Sequence, residues 1–227
     1  MIIRLHVAGR RCYSIKKPLF SVVMILSGII AGVLIASVIY SLTGFSIFNG
    51  VERKNVSVDD TANADVVLLA YSVLEYIRDE DYLALSHIVH PEYGVVLSPY
   101  ATINLATDRR FSAEQIAVLD SDTNVYVWGV YNGSGEPIEL TPAEYFAGFV
   151  PAADHIKTAV IGINRIVRSG NALENMTDVF ANVKFVDFHV PGGELTEELD
   201  WSSLRLGFEE HNGYFRLVAI VYSKWTV

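Results

Sequence analysis

From Pro18 to Val51 the chain carries no charged side chain, and within that run Leu19 to Leu42 reads LFSVVMILSGIIAGVLIASVIYSL, 24 residues. A helix needs roughly 20 apolar residues to cross the hydrocarbon of a bilayer, so residues 18–42 are expected to form one membrane-spanning helix. Ahead of the run stand Arg4, Arg10, Arg11, Lys16 and Lys17 with no acid among them, whereas Glu52, Arg53 and Lys54 and then Asp59 and Asp60 follow it. That asymmetry predicts a cytoplasmic basic tail over residues 1–17, a span over 18–42, and an exported remainder held at the cell membrane. A cleaved signal peptide has a shorter apolar core and a small-x-small site at its end, and Ser37 to Gly44 offers a poor one. Gly28 and Gly32 form a GxxxG that Ala36 extends, a stripe along which two such helices can approach closely, so it is the candidate face for a homodimer.

The apolar run holds five basic residues ahead of it, which leaves 12 basic against 26 acidic residues beyond position 51, a net charge of −14. An acidic surface of that size repels phosphate backbones, so nucleic acid is excluded as a partner. The single cysteine, Cys12, rules out a disulfide framework and a cysteine-rich zinc site. It also precedes the apolar run, so it cannot be the acylated cysteine of a lipoprotein.

Residues 43–63 are polar towards their end and read as a stalk, which leaves residues 64–227 for one domain. Val66, Val67, Ala70, Val73, Leu74 and Ile77 recur at three- and four-residue spacing and predict an amphipathic helix over about 64–79. A second helix is expected from Tyr82 until Pro91 stops it near His90. Gly94 to Tyr100 reads as a short strand, Ser112 with Gln115 as a capping box for a helix through Leu119, and Val125 to Tyr131 as a strand entering a hairpin. Thr141-Pro142-Ala143-Glu144 combines N-cap, first-turn proline and return glutamate, so Pro142 to Val150 is a helix. Strands are expected at about 158–168, 183–190, 202–210 and 214–225, with a short helix near 172–180. Asn212-Gly213 turns the last two strands into a hairpin, and the final strand, apolar on both faces, is expected to be central in the sheet or covered. Helices first and long strands afterwards indicate an α+β domain in which a curved antiparallel sheet wraps on N-terminal helices.

This order of elements resembles the nuclear transport factor 2-like, or cystatin-like, cone fold. His90-Pro91-Glu92-Tyr93-Gly94-Val95 with Ser98-Pro99-Tyr100-Ala101, the stretch Val125 to Glu144, and the tail from Asp200-Trp201-Ser202-Ser203-Leu204-Arg205-Leu206 to Trp225-Thr226 are similar to uncharacterised bacterial extracytoplasmic proteins, often lipoproteins. The similarity covers most of residues 65–227. It implies a cone-like domain outside the cytoplasm and brings no catalytic residue with it. The chain departs from the lipoprotein members by placing an apolar run where they have an acylated cysteine.

Cone folds commonly hold a pocket between sheet and helices, and the resemblance makes Tyr100, Tyr131, Tyr145, Asp187, His189 and Glu209 the residues to look for there. Asp187 alternates with Val186 and Phe188, so it reaches a pocket only if those two point the other way. His87 and His90, three apart on the expected second helix, are a weak pair of metal ligands, since a structural site needs four, no cysteine is at hand, and the others would have to come from His155, His189, Asp108 or Asp154. The competing reading leaves His87 at the surface and lets His90 bond the last carbonyls of its helix. No GxSxG elbow, P-loop or dinucleotide-binding glycine pattern is present, so no catalytic set and no cofactor is assigned. The expected role is a non-enzymatic binding or assembly module, with an envelope protein or a cell-wall component as its partner. The alternative is a small-molecule pocket with acid/base chemistry of the isomerase or cyclase kind.

Overall fold

A computed structural model of the chain describes residues 58–193 and 199–225. Helix α1 (Val58–Arg78) is followed by α2 (Tyr82–Ser86), strands β1 (Val95–Ser98) and β2 (Arg109–Phe111), α3 (Ala113–Ile116) and a 3-10 helix (Leu119–Ser121). Then come β3 (Tyr126–Val130), β4 (Pro137–Leu140), α4 (Pro142–Phe149), α5 (Ala152–Thr158) and β5 (Val160–Ile163). The chain ends with α6 (Met176–Val179), β6 (Lys184–Val190), β7 (Ser202–His211) and β8 (Tyr214–Lys224). Six strands form one sheet in the order β2-β1-β8-β7-β6-β5, and β3 with β4 forms a separate hairpin.

The expected architecture needs correcting on two counts. The sheet is mixed: β1 runs parallel to β8, with Val96 opposite Ala219 and Leu97 opposite Ile220, while the other strand pairs are antiparallel. A parallel pair needs a long crossover, and here most of the domain lies between the two strands. Secondly, among the described residues no helix is long and apolar enough to cross a membrane. The longest, α1, carries Asp59, Asp60, Asp65, Glu75 and Arg78. The span expected over residues 18–42, with Gly28, Gly32 and Ala36, lies outside the described residues, as does the basic tail over 1–17.

Helix α1 already includes residues 58–63, ahead of the start expected near residue 64, and Asp59 in that added stretch pairs with Lys184 on β6 at 2.6 Å. Helix α2 stops at Ser86 rather than His90, because the backbone of residues 88–90 bonds to the sheet instead: Leu217 N–H donates to Ile88 O and His90 N–H to Leu217 O. Both capping boxes form, Ser112 with Gln115 and Thr141 with Glu144. At Asn212 and Gly213 φ is +53° and +80°, the left-handed pair that closes a two-residue hairpin turn.

The two faces of the sheet are buried differently. On one face Val186, Phe188, Leu204, Leu206, Ile220 and Tyr222 pack against the stripe Val66, Ala70, Val73, Leu74 and Ile77 of α1. Aromatic rings close that core: Trp128 stacks on Tyr145 with centroids 3.8 Å apart, and Tyr145 stacks on Phe149. A bulge opposite Gly207/Phe208 gives β8 one extra residue, which lets Leu217 and Ile220 both face the helices and bends the strand. The opposite face carries Val96, Phe185, Ala219 and Val221 and is covered by residues 164–183 through Ile166, Met176, Val179 and Phe180.

Candidate functional site

That second face also buries charge. Ser98, Val221, Arg205 and Asp187 are successive neighbours in one row across β1, β8, β7 and β6. Asp187 is fully buried and Arg205 is 1% exposed. The guanidinium lies 3.3 Å from Asp187 through Nε, bonds Glu174 through Nη1, and donates from Nη2 to Arg168 O at 3.1 Å. Val167 N–H donates to the other Asp187 oxygen at 2.8 Å. Two carboxylates around one guanidinium, with one main-chain donor, Val167 N–H, and one main-chain acceptor, Arg168 O, staple residues 167–174 to the sheet. Burial raises the Glu174 pKa, and Asp187 adds to that rise against the lowering pull of Arg205.

The staple positions a cavity. Next to Glu174, the Asn175 amide accepts from Ile103 N–H and donates to Ile103 O, and Thr102 Oγ1 donates to Leu173 O at 2.7 Å. These bonds hold Thr102, Asn104, Asn171 and Ala172 as one wall of a cavity of about 470 Å³. Ser98, Tyr100, Thr102, Asn104, Thr107 and Asp108 line it from the loop after β1, and Asn132, Asn171 and Gly129 from the other sides. Asp108 accepts from Asn104 N–H at 2.9 Å and lies beside the Ser98 and Thr107 hydroxyls. Those bonds stabilise the carboxylate, yet burial outweighs them and its pKa is raised. Gly129 sits at φ +120°, and a Cβ there would lie 3.4 Å from Pro99 and 3.7 Å from Asp108 Oδ1. A side chain at this position would be strained and would crowd the acid.

The sequence-expected pocket residues are dispersed. Tyr100 lines the cavity, its hydroxyl accepts from Asn132 N–H at 3.3 Å, and burial raises its pKa. Tyr131 is exposed next to that rim. Tyr145 is buried in the ring stack behind it, with its pKa held well above the ordinary value by burial, with Asp108 and Tyr100 adding. Asp187 does point away from Val186 and Phe188, but into the ion cluster and not into a pocket. His189 pairs Nδ1 with Ser203 Oγ at 3.0 Å, with both residues buried. Burial lowers the His189 pKa. Glu209 lies at a different cavity, near His90 and His211.

His87 is exposed and caps α2, whereas His90 is buried. The His90 ring accepts at Nδ1 from Glu92 N–H and Tyr93 N–H and does not bond the helix carbonyls. Among the described residues no three His, Cys, Asp or Glu side chains come together in a way that could hold a metal ion.

Asp108 enters the sequence reading only as a possible distant metal ligand and not as a pocket residue. Its one local signal is that it ends an uncharged stretch running from Tyr93 to Thr107. Comparison of the chain with protein-family models, with curated proteins and with solved structures found no match.

Proposed function

We propose that this chain is a binding module that holds a small hydroxylated ligand, of the kind a cell-wall glycan presents, in the cavity around Asp108. One observation carries the reading: the lining joins hydroxyls, side-chain amides, one phenol and one carboxylate, with no Lys, Arg or His. Amides and carboxylates match the paired donors and acceptors of vicinal hydroxyls, and the ring of Tyr100 offers a flat face. A phosphorylated or carboxylated ligand would meet Asp108 with no cation to balance it. The space between helices and sheet, where a cone fold keeps its pocket, is filled by Trp128, Tyr145 and Phe149. Location at the cell membrane, outside the cytoplasm, belongs to the same proposal and rests on the uncharged run and the basic residues before it.

The test is a thermal-shift and calorimetric titration of the full-length chain with N-acetylglucosamine oligomers and neutral disaccharides. A saturable rise in Tm that Gly129→Val and Asp108→Leu both remove is expected. No shift with any of these sugars, or a shift that survives Gly129→Val, overturns the reading. A second reading, proton transfer to or from the bound ligand, draws on the raised pKa of Asp108 beside Tyr100. Ligand recovered from D2O without deuterium on carbon removes it.

A further inference from the structure

On the far side of the helical layer, a groove of about 360 Å³ opens between the end of α1, the 3-10 helix, α4 and the start of α5. Its floor is apolar: Ile77, Tyr82, Leu119, Phe146 and Val150. The rim is acidic, formed by Glu80, Asp120 and Asp154, while the one basic rim residue, Arg78, is already bonded through two nitrogens to Asp79. Glu80 and Asp120 stand close enough to the Tyr82 hydroxyl to add to the effect of burial, which together push its pKa up to about 12. The C-terminal ends of α1 and α4 open onto the same groove with their partial negative charge, partly offset by the start of α5.

We propose that this groove docks a basic amphipathic peptide segment of another protein. Its apolar side chains enter between Tyr82, Leu119 and Phe146, and its Lys or Arg side chains meet Glu80, Asp120 and Asp154. Charge complementarity and the extent of the surface argue for a peptide. The lining comes from three separate stretches of chain, 77–82, 119–120 and 143–154, a wider surface than a small amine covers. The groove shares no lining residue with the cavity around Asp108, so the two proposals stand or fall separately.

The experiment is a fluorescence-anisotropy titration of the full-length chain with a labelled peptide of about 14 residues, Leu and Lys in amphipathic helical order. The same peptide with Glu in place of Lys serves as control. Binding of the Leu/Lys peptide is expected, and it should weaken at least about tenfold between low salt and about 0.3 M salt. The triple variant Glu80→Gln, Asp120→Asn, Asp154→Asn, and separately Ala147→Trp in the exposed groove wall, should each weaken it about tenfold or more. Neutralising Glu92, Glu136 and Glu139 elsewhere on the surface should change it by less than about twofold. Equal weakening by both triple variants, an Ala147→Trp variant that binds unchanged, or no binding of the Leu/Lys peptide to the wild type overturns the proposal.

Discussion

The two faces of the six-stranded sheet solve the problem of burial in opposite ways. Towards the helices, the face is made of aliphatic residues and stacked rings that need only shape. Towards residues 164–183, the middle of the face is Ser98, Arg205, Asp187, Ser203 and His189, each of which needs a partner in a set place. The apolar face supplies free energy that tolerates repacking. The charged face supplies little net stability, but it has one low-energy arrangement, and that arrangement fixes the loop walls around Asp108.

The sharpest attack on this contrast is Trp128→Ala, which removes the ring at the centre of the stack and should cost about 3–5 kcal/mol in urea unfolding. A cost under about 1 kcal/mol would mean that the stack is not what holds the helical side. Next, Arg205→Met alone should cost about 3 kcal/mol by leaving the buried Asp187 and the partly buried Glu174 without a cation. Combined with Asp187→Leu and Glu174→Leu, the stability should return to within about 1 kcal/mol of wild type while ligand binding at the cavity stays impaired. A triple variant as unstable as the single one would show that the cluster contributes net stability after all.

Smaller effects come from titration. Burial lowers the pKa of His155, whose Nδ1 lies 2.8 Å from Pro151 O, so the folded state holds it neutral. Its stabilising contribution is complete above the unfolded value of about 6.5 and is lost as pH falls below it. Tm should therefore drop by on the order of 2–4 °C in that window, and His155→Gln should flatten the drop. Asp108 has the opposite sign for an acid: its raised pKa means that the folded state binds the proton more readily, so its penalty grows as pH rises past the unfolded value of about 3.9. Asp108→Asn should raise Tm at pH 7 by about 1–2 °C, with the gain vanishing near pH 4. A Tm that falls on this substitution would place the acid in the scaffold and not at a ligand.

Local chemistry explains which parts of this were legible in the sequence. The capping residues Ser112, Gln115, Thr141 and Glu144 and the Asn212-Gly213 turn act within a few residues, and all formed as read. The apolar content of β8 also marked it as central or covered, and it lies in the middle of the sheet. The parallel partner of β1 and the bonding of residues 88–90 to Leu217 depend on contacts more than a hundred residues apart, which no periodicity records. Helix α5 is one short segment behind Pro151 without a repeated stripe, and no element is expected there from the sequence. For Asp187 the alternation gave the correct side of the strand, but only the packing of residues 164–183 makes that side dry. Asp108 carries no motif, because its environment is assembled from the loop after β1, the β3 bulge and residues 171–172.

The placement of β8 beside β1 has a consequence for biogenesis. Val96 waits about 120 residues for Ala219, so an emerging chain exposes a hydrophobic strand, Val95 to Leu97, whose eventual neighbour has not yet been translated. Closure is then a late, long-loop event that slows maturation, and a holdase that shields β1 during synthesis should raise the yield of native protein more than any improvement of the early helices.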